Sequence, residues 1–107
     1  MSNINRVIKI LKQIEVILRE NHDTNWLPAI ENFTSQLLRP VMAEDLAVIL
    51  SKIIGMYGGM GSFSDLVLFE GGKVCYNENE QLDELRRELY EQCTDLLVVT
   101  RQKSSKK

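Results

Sequence analysis

The stretch Val41-Met42-Ala43-Glu44-Asp45-Leu46-Ala47-Val48-Ile49-Leu50-Ser51-Lys52-Ile53-Ile54-Gly55-Met56-Tyr57 decides how this chain is built. At about 100° per residue, its apolar side chains cover more than half the circumference of a helix, leaving a narrow polar strip of Glu44, Asp45, Ser51 and Lys52. A helix that apolar calls for neighbours on several sides, so it is expected to be the central one. It runs into Gly55-Met56-Tyr57-Gly58-Gly59-Met60-Gly61-Ser62-Phe63-Ser64-Asp65-Leu66. Glycines end helices and open backbone angles closed to other residues, so Gly58 or Gly59 is expected to take a positive φ there.

Working outward on the N-terminal side, Ile4 to Glu20 carries Ile4, Val7, Ile8, Ile10, Leu11, Ile14, Ile17 and Leu18 at helical spacing. The polar break from Asn21 to Asn25 supplies Asp23, Thr24 or Asn25 as a cap for a second helix, expected from about Asn25 to Leu38 with Trp26, Ile30, Phe33 and Leu37 inward. Pro40 ends that helix and leaves a connection so short that helices two and three are expected to lie antiparallel as neighbours. On the C-terminal side, Ser62-Phe63-Ser64-Asp65 has capping-box spacing and predicts one helical turn. Leu66 to Phe69 and Val74 to Tyr76 flank the turn sequence Glu70-Gly71-Gly72-Lys73 and predict a small two-stranded β-hairpin. Asn77 or Asn79 then caps a last helix to about Leu97, with Leu82, Leu85, Leu89, Cys93 and Leu96 on one face.

The expected fold is therefore mainly α, a four-helix domain over residues 1–98 with a hairpin between helices three and four, followed by a basic, disordered tail over 99–107. With 107 residues the chain fits one domain that needs no metal or disulfide to hold its core. Cys75 and Cys93 are far apart and in no redox or metal-ligand spacing, which points to the cytoplasm and to core packing. The apolar runs are too short and interrupted for a bilayer. Net charge is −2 although Arg101, Lys103, Lys106 and Lys107 crowd the end, so the body is acidic and unsuited to duplex nucleic acid.

Catalytic patterns fail one by one. The only histidine, His22, sits in a polar break between helices, and Ser62 or Cys75 with Asp65 makes no triad. No zinc spacing occurs, and neither metal nor cofactor is expected. None of Gly55, Gly58, Gly59 or Gly61 is followed by the Lys-Ser or Lys-Thr of a phosphate loop, and the dinucleotide fingerprint lacks its third glycine. Gly58, Gly59, Gly61, Ser62 and Asp65 are read as a structural loop; backbone N–H groups near Ser62 holding an anion are the other reading. Met60 and Phe63 are candidates for an adaptable contact surface if exposed, and for loop anchors if buried.

The last helix carries the sharper signal. Glu80, Glu84, Glu88, Glu91 and Asp95 fall within about 80° of one another, opposite the apolar stripe. Glu80 with Glu84, Glu84 with Glu88 and Glu91 with Asp95 repel at i,i+4, which folding does not ask for. A solvated face is one explanation; a ridge that steers onto a basic partner is the other.

Tyr57-Gly58-Gly59-Met60-Gly61-Ser62-Phe63-Ser64-Asp65-Leu66-Val67-Leu68, followed by Leu82-Asp83-Glu84-Leu85-Arg86 and Leu89-Tyr90, resembles a family of small bacterial proteins of unknown function whose pattern reads Gly-Met-Gly-Ser-Phe-Asn-Asp-Leu. Here Ser64 stands in place of the Asn. Through association with immunity proteins, the resemblance implies that class; together with the missing catalytic patterns, the cysteine usage and the acidic ridge, the expectation is a non-enzymatic, cytoplasmic inhibitor that covers the active face of one partner toxin with a basic cleft, as a monomer or homodimer. Neither a nucleic-acid nor a membrane partner is expected from the charge and hydropathy, and the resemblance supplies no catalytic residue. The alternative is a small-ligand or nucleotide-binding accessory domain using the glycine-rich turn.

Overall fold

The computed structural model describes residues 3–39, 42–58, 62–70 and 72–105. Helix α1 spans Ile4–Glu20, and Asn3 starts it by accepting the Arg6 N–H on its side-chain oxygen at 2.9 Å. Its apolar stripe is buried from Val7 to Leu18. The helix ends with His22 in left-handed geometry, φ 57°, the Asp23 N–H returning to Leu18 O and the His22 N–H to Arg19 O. These two bonds define a Schellman cap, a position that favours glycine because a Cβ is disfavoured there. We expect His22→Gly to stabilise the fold by about 0.5–1 kcal/mol, the relieved strain exceeding the added freedom of the unfolded chain. A thermal midpoint that falls or stays level would show that the histidine is held there by something other than the cap.

Helix α2 spans Leu27–Leu37, two residues later than expected at its start. The Asp23 carboxylate accepts the N–H groups of Trp26 and Leu27 at 2.7 and 2.8 Å, so the cap acts from outside the helix and the intervening residues stay non-helical. Helix α3 spans Ala43–Gly55, shorter than expected at both ends. Helix α4 spans Tyr76–Ser105, thirty residues. It outruns the expected end at Leu97 because no glycine or proline follows, and because Thr100 prolongs the stripe of Leu82, Leu89, Cys93 and Leu96 and is itself buried. The region expected to be a disordered tail is thus helical through Ser105.

The central element is α4 and not α3. One flank of α4 packs along α3 and the other along α1, while α1 also packs on α2 and α2 touches α3 only slightly. The short α2–α3 connection does not make those two helices close neighbours. Only α4 is long enough to serve both partners: thirty residues at about 1.5 Å each give a rod of about 45 Å, matching a molecule 55 Å by 24 Å by 23 Å. Helix α3 leaves Val48 exposed, as is its N-cap residue Met42, so its all-round apolarity overstated its burial.

Between α3 and α4 the chain forms a 3₁₀ turn, Phe63–Asp65, and a minimal antiparallel ladder of β1, Phe69–Glu70, with β2, Lys73–Val74. The ladder is two residues deep on each side, with Phe69 opposite Val74 and Glu70 opposite Lys73, and Gly72 turns it at φ 81°. The longer strands expected over Leu66–Phe69 and Val74–Tyr76 do not form. Leu68 O still accepts the Cys75 N–H at 3.0 Å, but the Asn79 side chain also takes up the Leu68 backbone, accepting its N–H at 2.7 Å and donating to its C=O at 3.0 Å, and Tyr76 already belongs to α4. Asn79 is therefore a substitute strand inside the first turns of α4 and not its cap. The class remains mainly α.

Candidate functional site

Two regions concentrate the residues singled out by sequence. The first is the loop after α3. Gly59, Met60 and Gly61 lie outside the described residues. Gly58 does not take a positive φ, and a Cβ built on it or on Gly55 meets nothing within 4 Å. Helix α3 closes instead through a tightened last turn, Met56 N–H to Ile53 O and Tyr57 N–H to Ile54 O, after which Met56 O accepts the Phe63 N–H at 2.9 Å. The expected capping box is not formed. Ser62 makes no side-chain cap; its hydroxyl pairs with that of Ser64 at 2.7 Å, and Ser64 also reaches Tyr57 O.

Phe63 is fully buried, so it anchors the loop and cannot be a contact surface. Its ring lies 5.4 Å from Trp26 and 5.8 Å edge-on to Tyr57, which in turn packs on Tyr90 at 5.0 Å. Over the Phe63 ring sits Arg86 of α4, its guanidinium carbon 5.6 Å from the centroid. Arg86 is only 7% exposed; it donates to Phe63 O at 2.5 Å and Leu66 O at 3.1 Å and pairs with Asp83. Tyr57 completes the clasp by donating its hydroxyl to Arg86 O at 2.6 Å. Burial pushes the pKa of this phenol upward, keeping it a donor at any ordinary pH. Burial likewise pushes the Cys93 thiol up to about 12, so it stays protonated and inert.

Sequence reasoning missed Arg86 as a structural residue. The available signal was its place on the wheel, four residues after Leu82 and three before Leu89, inside the buried arc where a charge is tolerated only if paired. Among the described residues of the loop, the amides of Phe63, Asp65 and Leu66 donate to Met56 O, Ser62 O and Phe63 O.

The second region is the ridge on α4. Glu80, Glu84, Glu91 and Asp95 are exposed along one face, and Tyr76, 81% exposed, precedes Glu80 by one turn on that face. Glu88 is half-buried and bound by Arg6 of α1 at 2.7 Å. Beside the ridge, α1 and α4 leave a groove lined by Val16, Ile17, Glu20, Glu84, Leu85 and Glu88 together with Gln13 and Gln81. Among the described residues no three His, Cys, Asp or Glu side chains are placed to hold a metal ion, and no helix is long and apolar enough to cross a membrane.

Fold and site together define a small, mainly helical domain with a clasped loop and an acidic helix face. Residues 19–76 match the model of a family described as Domain of unknown function (DUF6966), over half of the chain, and the chain belongs to that family. The matched span takes in the end of α1, helices α2 and α3 and the loop, and it stops at the first residue of α4, ahead of Arg86 and the ridge. No curated protein and no solved structure matches the chain.

Proposed function

We propose that this chain is a protein-binding protein that acts by occupancy and not by catalysis, its most concrete form being an immunity protein that neutralises a toxin by covering a basic active face. The observation that carries the reading is the row Glu80, Glu84, Glu91 and Asp95, exposed on one face of one rigid helix and opened by an exposed tyrosine. Like charges in such a row cost an isolated helix about 0.2–0.5 kcal/mol per i,i+4 pair, and a patterned field of one sign speeds encounter with an oppositely charged cleft. Exposed Tyr is favoured at interfaces, where it contributes area at small entropic cost. The alternative is a ligand site at the glycine-rich turn, next to which the amides of Phe63, Asp65 and Leu66 are already committed within the protein.

The test has two stages. Tagged protein is used to capture its partner from the native cell, and association with that purified partner is then followed at rising ionic strength. Changing Glu80, Glu84 and Glu91 together to Gln, which leaves the Arg6–Glu88 pair intact, is expected to slow association at least tenfold at low salt and flatten its salt dependence. Fold stability should stay level or rise slightly. Association at the parent rate across the salt range would reduce the ridge to a solubilising face.

A further inference from the structure

The groove between α1 and α4 has a composition that the ridge alone does not explain. Its floor is aliphatic: Ile17 is buried, Leu85 half-buried, and Val16 remains 49% exposed although it sits between two packed helices. Its rim is anionic from both sides, with Glu20 on α1 and Glu84 and Glu88 on α4, and the cavity measures about 420 Å³. Arg6 neutralises Glu88 toward one end. At that same end a second depression of about 440 Å³ shares Gln13 and Val16 but is edged by Lys9 and Lys12. The groove is therefore rimmed by carboxylates from both helices, and the depression beside it on α1 carries lysines.

We propose that this groove seats an amphipathic helix of the partner protein, its apolar side chains on Val16, Ile17 and Leu85 and its lysines or arginines against Glu20 and Glu84. The inference rests on the protein-binding reading above and adds to it the place and the chemistry of the contact. Charge complementarity selects the occupant: an apolar stripe flanked by carboxylates from two helices matches a cationic amphipathic helix, whose aliphatic stems and charged heads are satisfied at once. A purely polar cation would leave Val16 wet, and an acidic helix would meet Glu20, Glu84 and Glu88 unscreened.

Three synthetic helices of equal length serve as probes: Lys with Leu, Lys with Ser, and Glu with Leu. Binding is mapped by backbone amide shifts of the full chain and quantified by titration. The Lys-Leu helix is expected to shift Gln13, Val16, Ile17, Gln81 and Leu85 saturably and to bind at least tenfold more tightly than either of the others. Glu20→Gln with Glu84→Gln should weaken it about tenfold, and Val16→Ser should weaken it severalfold while leaving the far side of α3 unshifted. Equal binding of the Lys-Leu and Lys-Ser helices, with shifts confined to Glu80, Glu91 and Asp95, would overturn the groove and leave the acidic-ridge reading standing. No saturable binding by any cationic helix would overturn both.

Discussion

Phe63→Ala is expected to cost about 3–5 kcal/mol of folding stability, the range for emptying a buried aromatic position. The ring is fully buried and packs at once against Trp26 ahead of α2, Tyr57 after α3, and Arg86 on α4. Ridge and groove lie on the opposite side of α4, so the loss should appear in stability before it appears in partner binding. Trp26 is the single tryptophan of the chain, and at 5.4 Å from Phe63 it reports the cavity directly. Chemical denaturation followed by its fluorescence should show a midpoint far below the parent's. Since natural domains hold only about 5–15 kcal/mol in total, much of the variant could already be unfolded at 37 °C. Phe63→Leu, which keeps the site apolar and partly filled, should lose much less. A drop below about 1 kcal/mol for the alanine variant would mean that the loop closes without its ring.

How much of this was legible in the sequence depends on which interaction sets each feature. Helix α1 could be read to the residue, because an Asn cap and an unbroken 3.6-residue period are both local. Helix α2 began late because Asp23 caps it through space from several residues upstream. The length of α4 was underread for want of a stop signal, and the ranking of α3 over α4 failed because apolarity on all sides does not say how many neighbours a helix receives. Positive φ fell on His22 and Gly72 among the described residues, where a Schellman cap and a two-residue turn require it. Glycine-rich text announces permission, not use. The acidic ridge was legible because it is periodic on one helix. The groove was not, since it exists only once α1 and α4 are paired.

Arg86→Met is expected to destabilise the fold by about 2–4 kcal/mol even though it removes a buried charge. Two effects compete. Taking a guanidinium out of water is costly, and replacing a complete buried charge pair by apolar groups can be neutral or favourable. Here, however, the methionine removes one partner only. Leu66 O loses its donor and Phe63 O keeps only the 3.3 Å bond from the Leu66 N–H, and a carbonyl left short of donors in the packed loop costs about 1–3 kcal/mol. Asp83 is more than half exposed and can return to water, so its share of the loss is small. The two carbonyls therefore outweigh the relief of desolvation. Arg86→Lys should recover part of the loss, because an ammonium group can reach one carbonyl but lacks the planar fork that serves both. The contact of Arg86 with the Phe63 ring makes the two sites interdependent. Combining Arg86→Met with Phe63→Ala should cost less than the sum of the single variants, by about 0.5–3 kcal/mol. Strict additivity, or parent stability in Arg86→Met alone, would show that water or another donor already serves the loop carbonyls and that the clasp from α4 does not hold the loop.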